Sequence, residues 1–66
     1  MKKLSINRNI YSDRAIKESI KVYKNYALMS VKCNKEYAAV VFWKCKYDEN
    51  QTVKEFENYM IGIENS

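Results

Sequence analysis

The sequence predicts an α+β fold in the order β-α-β-β-α. Its expected form is a two-layer sandwich: a three-stranded mixed sheet, with the third strand central and both helices on one face. Three observations lead there. The start of the chain alternates apolar and polar residues, which is the period of a half-buried strand. Two later segments repeat apolar residues at helical spacing. Between them, "EYAAVVFWKC" carries apolar side chains at every position from Tyr37 to Trp43, too many for a strand with one wet face.

The first strand is "KLSINRNI", with Leu4, Ile6 and Ile10 on one side and Ser5, Asn7 and Asn9 on the other. Arg8 falls near its end. Ser12 then reads as a helix N-cap, because its hydroxyl can accept a bond from an orphan amide of the first turn. Asp13 suits the positive end of the helix dipole. With Ser12 as cap, Tyr11 and Ile16 take the spacing of a hydrophobic staple. The helix runs through "DRAIKESIKVYKNY". Ile16, Ile20, Tyr23 and Ala27 form its core stripe, while Lys17, Lys21 and Lys24 lie mostly off it.

"ALMSVKC" and "EYAAVVFWKC" read as two strands joined by a two-residue turn at Asn34-Lys35, where Asn tolerates positive φ and Lys is weaker than Gly. That register sets Val31 opposite Ala38, Met29 opposite Val40 and Ala27 opposite Phe42. It also sets Cys33 opposite Glu36 and leaves Cys45 roughly 30 Å away at ~3.4 Å per residue, so no intrachain disulfide is expected. "KYDENQT" is turn-like and offers Asp48, Asn50 or Thr52 as a cap; Thr52 with Glu55 has capping-box spacing. Val53, Phe56, Tyr59 or Met60, and Ile63 make the second helical stripe, which Gly62 and the polar "ENS" are expected to end.

A right-handed crossover makes the first two strands parallel. The third, antiparallel to both and the most apolar, belongs between them. Stacking both helices on the Ala38/Val40/Phe42 face then leaves the other face bare. That face carries Tyr37, Ala39, Val41 and Trp43 from the third strand and Leu28, Ser30 and Lys32 from the second, with Lys3 near the rim. An aromatic buries up to ~150–250 Å² when covered, and contiguous apolar surface of this kind marks interaction sites. The reading is therefore a partner-binding face formed by Tyr37, Ala39, Val41, Trp43, Leu28 and Lys32. Its partner is another protein or peptide, or a second copy of the chain as a homodimer. Two alternatives compete: a bare face shielded by lysine stems, and one helix on each face with Trp43 buried inside.

Composition narrows the function classes. The 66 residues make one small domain, near the lower limit for unaided folding. With 47% hydrophobic residues, it is globular in composition. No apolar run approaches the roughly 20 residues that span a membrane, and "MKKLSINRN" lacks the apolar stretch of a signal peptide; the expectation is a cytoplasmic protein. The net charge of +4 is spread among mixed acids and bases, with no dense basic block. Aromatics on an open sheet can stack bases, yet Ala39 and Val41 offer no base-edge chemistry and RNA-recognition motifs are absent. Nucleic acid therefore ranks below protein as a partner.

No reaction is written in these residues. There is no histidine, there are two cysteines and there is one glycine, so neither a Cys-His nucleophile, nor a four-ligand zinc site, nor a glycine-rich phosphate loop can be assembled. Asp48 and Glu49 adjoin in a polar loop, where carboxylates are normally solvated. The chain is expected to be a non-enzyme with no cofactor and no metal.

The pattern "LSINRNIYSDRAIKESIKVYKNYA", then two short strands, then "VKEFENYMI", resembles the small HxsD proteins of the His-Xaa-Ser peptide-maturation systems. The similar points are Ile10-Tyr11-Ser12 closing the first strand, Ala15-Ile16 in the helix, and Glu55-Phe56-Glu57-Asn58-Tyr59 in the last helix. The short "CKYDENQT" loop and the clipped C-terminus depart from that pattern. The resemblance implies an accessory, non-catalytic protein, working beside radical-SAM maturases and a repeat-bearing precursor peptide. Peptide capture would use the open face or add a strand to the edge from Ala27 to Cys33, with Lys32 available to an acidic leader.

Overall fold

The computed structural model describes residues 1–65; Ser66, the end of the expected polar tail, lies outside the described residues. Its elements are β1 (Lys2–Asn7), α1 (Asp13–Tyr23), β2 (Ala27–Cys33), β3 (Tyr37–Cys45) and α2 (Glu49–Glu64). They form one open sheet in the order β1-β3-β2, with β3 central. Both ladders are antiparallel, so β1 and β2 run parallel to each other as expected but do not pair, with β3 between them. The sheet is therefore antiparallel throughout in its pairing rather than mixed.

The core is a single cluster on one face of the sheet. Ile6 of β1, Ala27 of β2, and Ala38, Val40 and Phe42 of β3 meet Ala15 and Ile16 of α1 and Phe56 and Met60 of α2. Phe42 and Phe56 are fully buried and contact edge to face, ring centroids 5.3 Å apart. That geometry sets a positive ring edge against a negative ring face. Ile10, expected beside Leu4 and Ile6, is instead 64% exposed. β1 ends at Asn7, and the amides of Ile10 and Tyr11 both donate to the Asn7 carbonyl in a turn that ends the alternation. Tyr11 packs, partly buried, against the core cluster to which Ile16 belongs.

Both helices begin on side-chain caps. Ser12 Oγ accepts the Ala15 amide at 3.2 Å, and Asp48 accepts the Gln51 amide at 2.9 Å. With Asp48 as cap, Thr52 stands one turn inside α2. There it is buried, its hydroxyl donating to the Asp48 carbonyl at 2.8 Å. α1 stops at Tyr23, so Ala27 joins the core from β2 rather than from the helix. Gly62 does not end α2; it lies in the last turn, before a C-cap at Asn65.

Two corrections concern the β2–β3 hairpin. Val31 pairs with Val40, Met29 with Phe42 and Cys33 with Ala38, a shift of two residues on β3 from the expected register. A two-residue turn of the favoured type needs positive φ at both central positions, and no residue here adopts it. The chain uses a longer loop instead. Asn34 Oδ1 accepts the amides of Glu36 and Tyr37 at 2.8 and 2.7 Å, an Asx-type arrangement. An even shift leaves the β3 side chains from Tyr37 to Trp43 on their expected faces. The second correction is a bulge: Leu28 pairs with Lys44 while Met29 pairs with Phe42, so Trp43 is the extra residue. Plain alternation from Phe42 would drive Lys44 into the core. The bulge instead keeps Trp43 and Lys44 both exposed and brings Cys45, half-buried, back against the core.

Arg8 ties this hairpin to the rest. Its amide donates to the Glu36 carbonyl at 2.8 Å, and its guanidinium donates to the Asn34 carbonyl and both carboxylate oxygens of Asp13.

Candidate functional site

The sheet face opposite the helices is uncovered. Tyr37 and Trp43 of β3 are 46% and 56% exposed, and Leu28 of β2 is 66% exposed. Ala39 and Val41 lie between them, half-buried by their strand neighbours alone. Lys32 pairs with Ala39 and is exposed. All six residues expected at a partner-binding face thus share one surface. Trp43 does not lie inside the molecule, which rules out one helix on each face.

Cross-strand pairing fixes what surrounds the apolar strip, because residues directly opposite share a face. Lys3 pairs with Val41, Lys32 with Ala39 and Lys44 with Leu28, and all three lysines are exposed. Ser5, Asn7 and Ser30 complete the strand residues of this face, and none of them is acidic. Three cations with no opposing carboxylate make a basic frame around an apolar centre. Lys3 and Lys32 were readable by simple alternation; Lys44 depends on the bulge and was not. Trp43 is held in place, its indole N–H donating to Ser30 Oγ at 2.8 Å. A fixed, exposed indole loses little freedom when a partner covers it.

The cysteines sit at opposite ends of the β2–β3 ladder, Cys33 beside Ala38 and Cys45 beside Ala27, and both are free. Cys33 is exposed. The Cys45 thiol is pushed above its ordinary range, first by burial and then by the Glu49 carboxylate, while a hydrogen bond with Thr52 pulls the other way. A raised thiol pKa makes a poor nucleophile at neutral pH. Among the described residues, no group of three Cys, Asp or Glu side chains gathers as a metal site would require. No helix among them is long and apolar enough to cross a membrane.

A second concavity lies on the helix side, away from the bare sheet. It is a groove of about 470 Å³ lined by Tyr23, Tyr26, Tyr47 and Tyr59 with Gln51 and Glu55 among its walls. Sequence reasoning placed Tyr23 in a core stripe, left Tyr59 as an alternative to Met60 in the other, and did not gather this cluster, since its members come from α1, α2 and both adjoining loops.

Comparison with family models, with curated proteins and with solved structures finds no match to this chain.

Proposed function

We propose that this chain is a non-catalytic accessory module that binds a partner polypeptide on its open sheet face. The observation that carries the reading is the composition of that face: Leu28, Tyr37, Val41 and Trp43 exposed or half-exposed at its centre, framed by Lys3, Lys32 and Lys44 without a carboxylate. Such a surface complements an acidic segment bearing apolar side chains. The apolar contacts supply affinity, and the lysines speed encounter and set orientation.

The resemblance to the small HxsD proteins points to the source of that segment, an acidic leader of a precursor peptide in a radical-SAM peptide-maturation system. A second copy fits this face less well. Stacked sheets lie ~10 Å apart, so face-to-face pairing would bring two sets of lysines together with nothing to neutralise them.

The test is titration of the chain with a synthetic acidic leader peptide carrying apolar side chains, followed by the emission of Trp43, the only tryptophan. Binding should shift that emission to the blue and weaken as salt rises. The double variant Trp43→Thr/Val41→Thr should lose binding while keeping the helical signal, and Lys32→Glu/Lys44→Glu should weaken it about tenfold or more. A scrambled leader binding equally well would overturn leader recognition. Capture of the maturase alone, a stable dimer in sedimentation, or retention on RNA without peptide binding would each replace this partner with another.

A further inference from the structure

We propose that the tyrosine-lined groove is a second recognition site, built for an organic cation, and that its occupant is an arginine side chain of a partner polypeptide. Four phenol rings converge there. Tyr23 is the hub, with ring centroids 5.7 Å from Tyr26 and 5.9 Å from Tyr59, and Tyr26 lies 6.3 Å from Tyr47. Phe56 backs Tyr23 edge-on at 5.5 Å and so fixes the hub to the core. Ring faces carry negative charge density and attract cations within about 6 Å of the centroid.

Glu55 adds a full negative charge to the same wall, and no lining residue is cationic. Gln51 donates to Glu55 Oε1 at 3.2 Å, which orients the carboxylate. The charge balance is felt inside the groove. The Tyr23 hydroxyl is held above its ordinary pKa by burial first, then by Glu55 and the neighbouring phenols, all of which oppose a further negative charge. The molecule also supplies a precedent: Lys46 Nζ stands 5.7 Å from the Tyr47 ring centroid.

Guanidinium suits this groove better than a primary ammonium. It is planar, so it stacks on a ring, and it is weakly hydrated, so it gives up water at lower cost. It also presents parallel N–H donors to a carboxylate. At about 470 Å³ the groove has room for the methylene stem and the flanking backbone. The site is distinct from the basic sheet face and selects the opposite charge, so the two surfaces can read different parts of one partner. Neither depends on the other.

The experiment is NMR titration of the full chain with N-acetyl-arginine amide, with the neutral isostere N-acetyl-citrulline amide and with tetramethylammonium. The arginine probe should shift the ring signals of Tyr23, Tyr26, Tyr47 and Tyr59 and leave Trp43 unmoved. Citrulline should bind about tenfold more weakly, and Glu55→Gln should weaken the arginine probe about fivefold or more. Tyr47→Leu should do likewise, and at 63% exposure Tyr47 is replaceable without loss of fold. Equal binding of citrulline, or an unchanged affinity in Glu55→Gln, would overturn the cation site. Tighter binding of tetramethylammonium than of arginine would overturn the guanidinium assignment, and tighter binding of free arginine than of the blocked amide would overturn a polypeptide source.

Discussion

Glu64, in the last turn of α2, accepts two hydrogen bonds from Ser12, the N-cap of α1: one from its amide and one from its hydroxyl, each 3.0 Å. In a capping box, the third helical residue reaches back to the cap amide. Here that position is Ala15, which cannot, and a carboxylate 52 residues away in sequence does so instead. The same carboxylate brings negative charge to the positive end of α1. One residue thus closes the start of the first helix against the end of the second.

Replacing Ser12 with Ala should cost about 1–2 kcal/mol, since the cap and the hydroxyl bond to Glu64 are lost while the amide bond to Glu64 stays. Glu64→Gln keeps an acceptor but removes the charge and should cost less, about 0.5 kcal/mol. In a double-mutant cycle read by urea denaturation, the two losses should be non-additive. Additive losses would mean that the bond between the Ser12 hydroxyl and the Glu64 carboxylate contributes nothing in solution.

The two faces of β3 should answer mutation very differently. Phe42→Ala removes a fully buried ring from the centre of the core and should cost about 3–5 kcal/mol. Small domains have about 5 kcal/mol in total, so this variant should be largely unfolded at 37 °C by circular dichroism. Tyr37→Ala, on the bare face, should stay within about 1 kcal/mol of the parent. A large loss at Tyr37 would show that the open face is covered within the monomer.

Element order, strand order and the split between a packed and a bare face were legible because they follow from periodicity. Ala38, Val40 and Phe42 alternate with Ala39, Val41 and Trp43 whatever the register. The register itself was not legible. It depends on whether Asn34 enters a turn through its backbone or through its carboxamide, and both readings satisfy local sequence rules. The bulge at Trp43 was hidden for a related reason: two successive residues that avoid the core, Trp43 and Lys44, look like the end of a strand. Ile10 misled because alternation continues through a turn that the backbone has already begun. The tyrosine groove had no linear signal, since tyrosines on four segments meet only after folding.

Gly62 offers a stabilising change. It lies inside α2, its φ is not positive, and a Cβ built there meets nothing within 4 Å. Glycine's excess freedom in the unfolded chain is then a pure cost. Gly62→Ala should raise stability by about 0.5–1 kcal/mol, with a smaller gain if the last turn frays. A rise in the melting temperature with an unchanged m-value would support this; a fall would mean that the last turn of α2 does not keep this helical backbone in solution.

Alkaline pH should weaken the fold through Cys45 before it does so through Tyr23. Burial holds both groups above their ordinary values, helped at Cys45 by Glu49 and at Tyr23 by Glu55. The folded chain therefore keeps these protons at a pH where the unfolded chain has lost them. The resulting stabilisation is complete below the ordinary thiol pKa of about 8.5 and is lost as pH rises through the folded value. Urea midpoints should fall from pH 8 upward, and Cys45→Ala should flatten the first part of that decline while leaving the tyrosine part above pH ~10. Iodoacetamide should label exposed Cys33 well before Cys45. If the variant and the parent lose stability in parallel across pH 8–10, the burial of Cys45 contributes nothing to it, and the return of this side chain to the core after the Trp43 bulge is not maintained in solution.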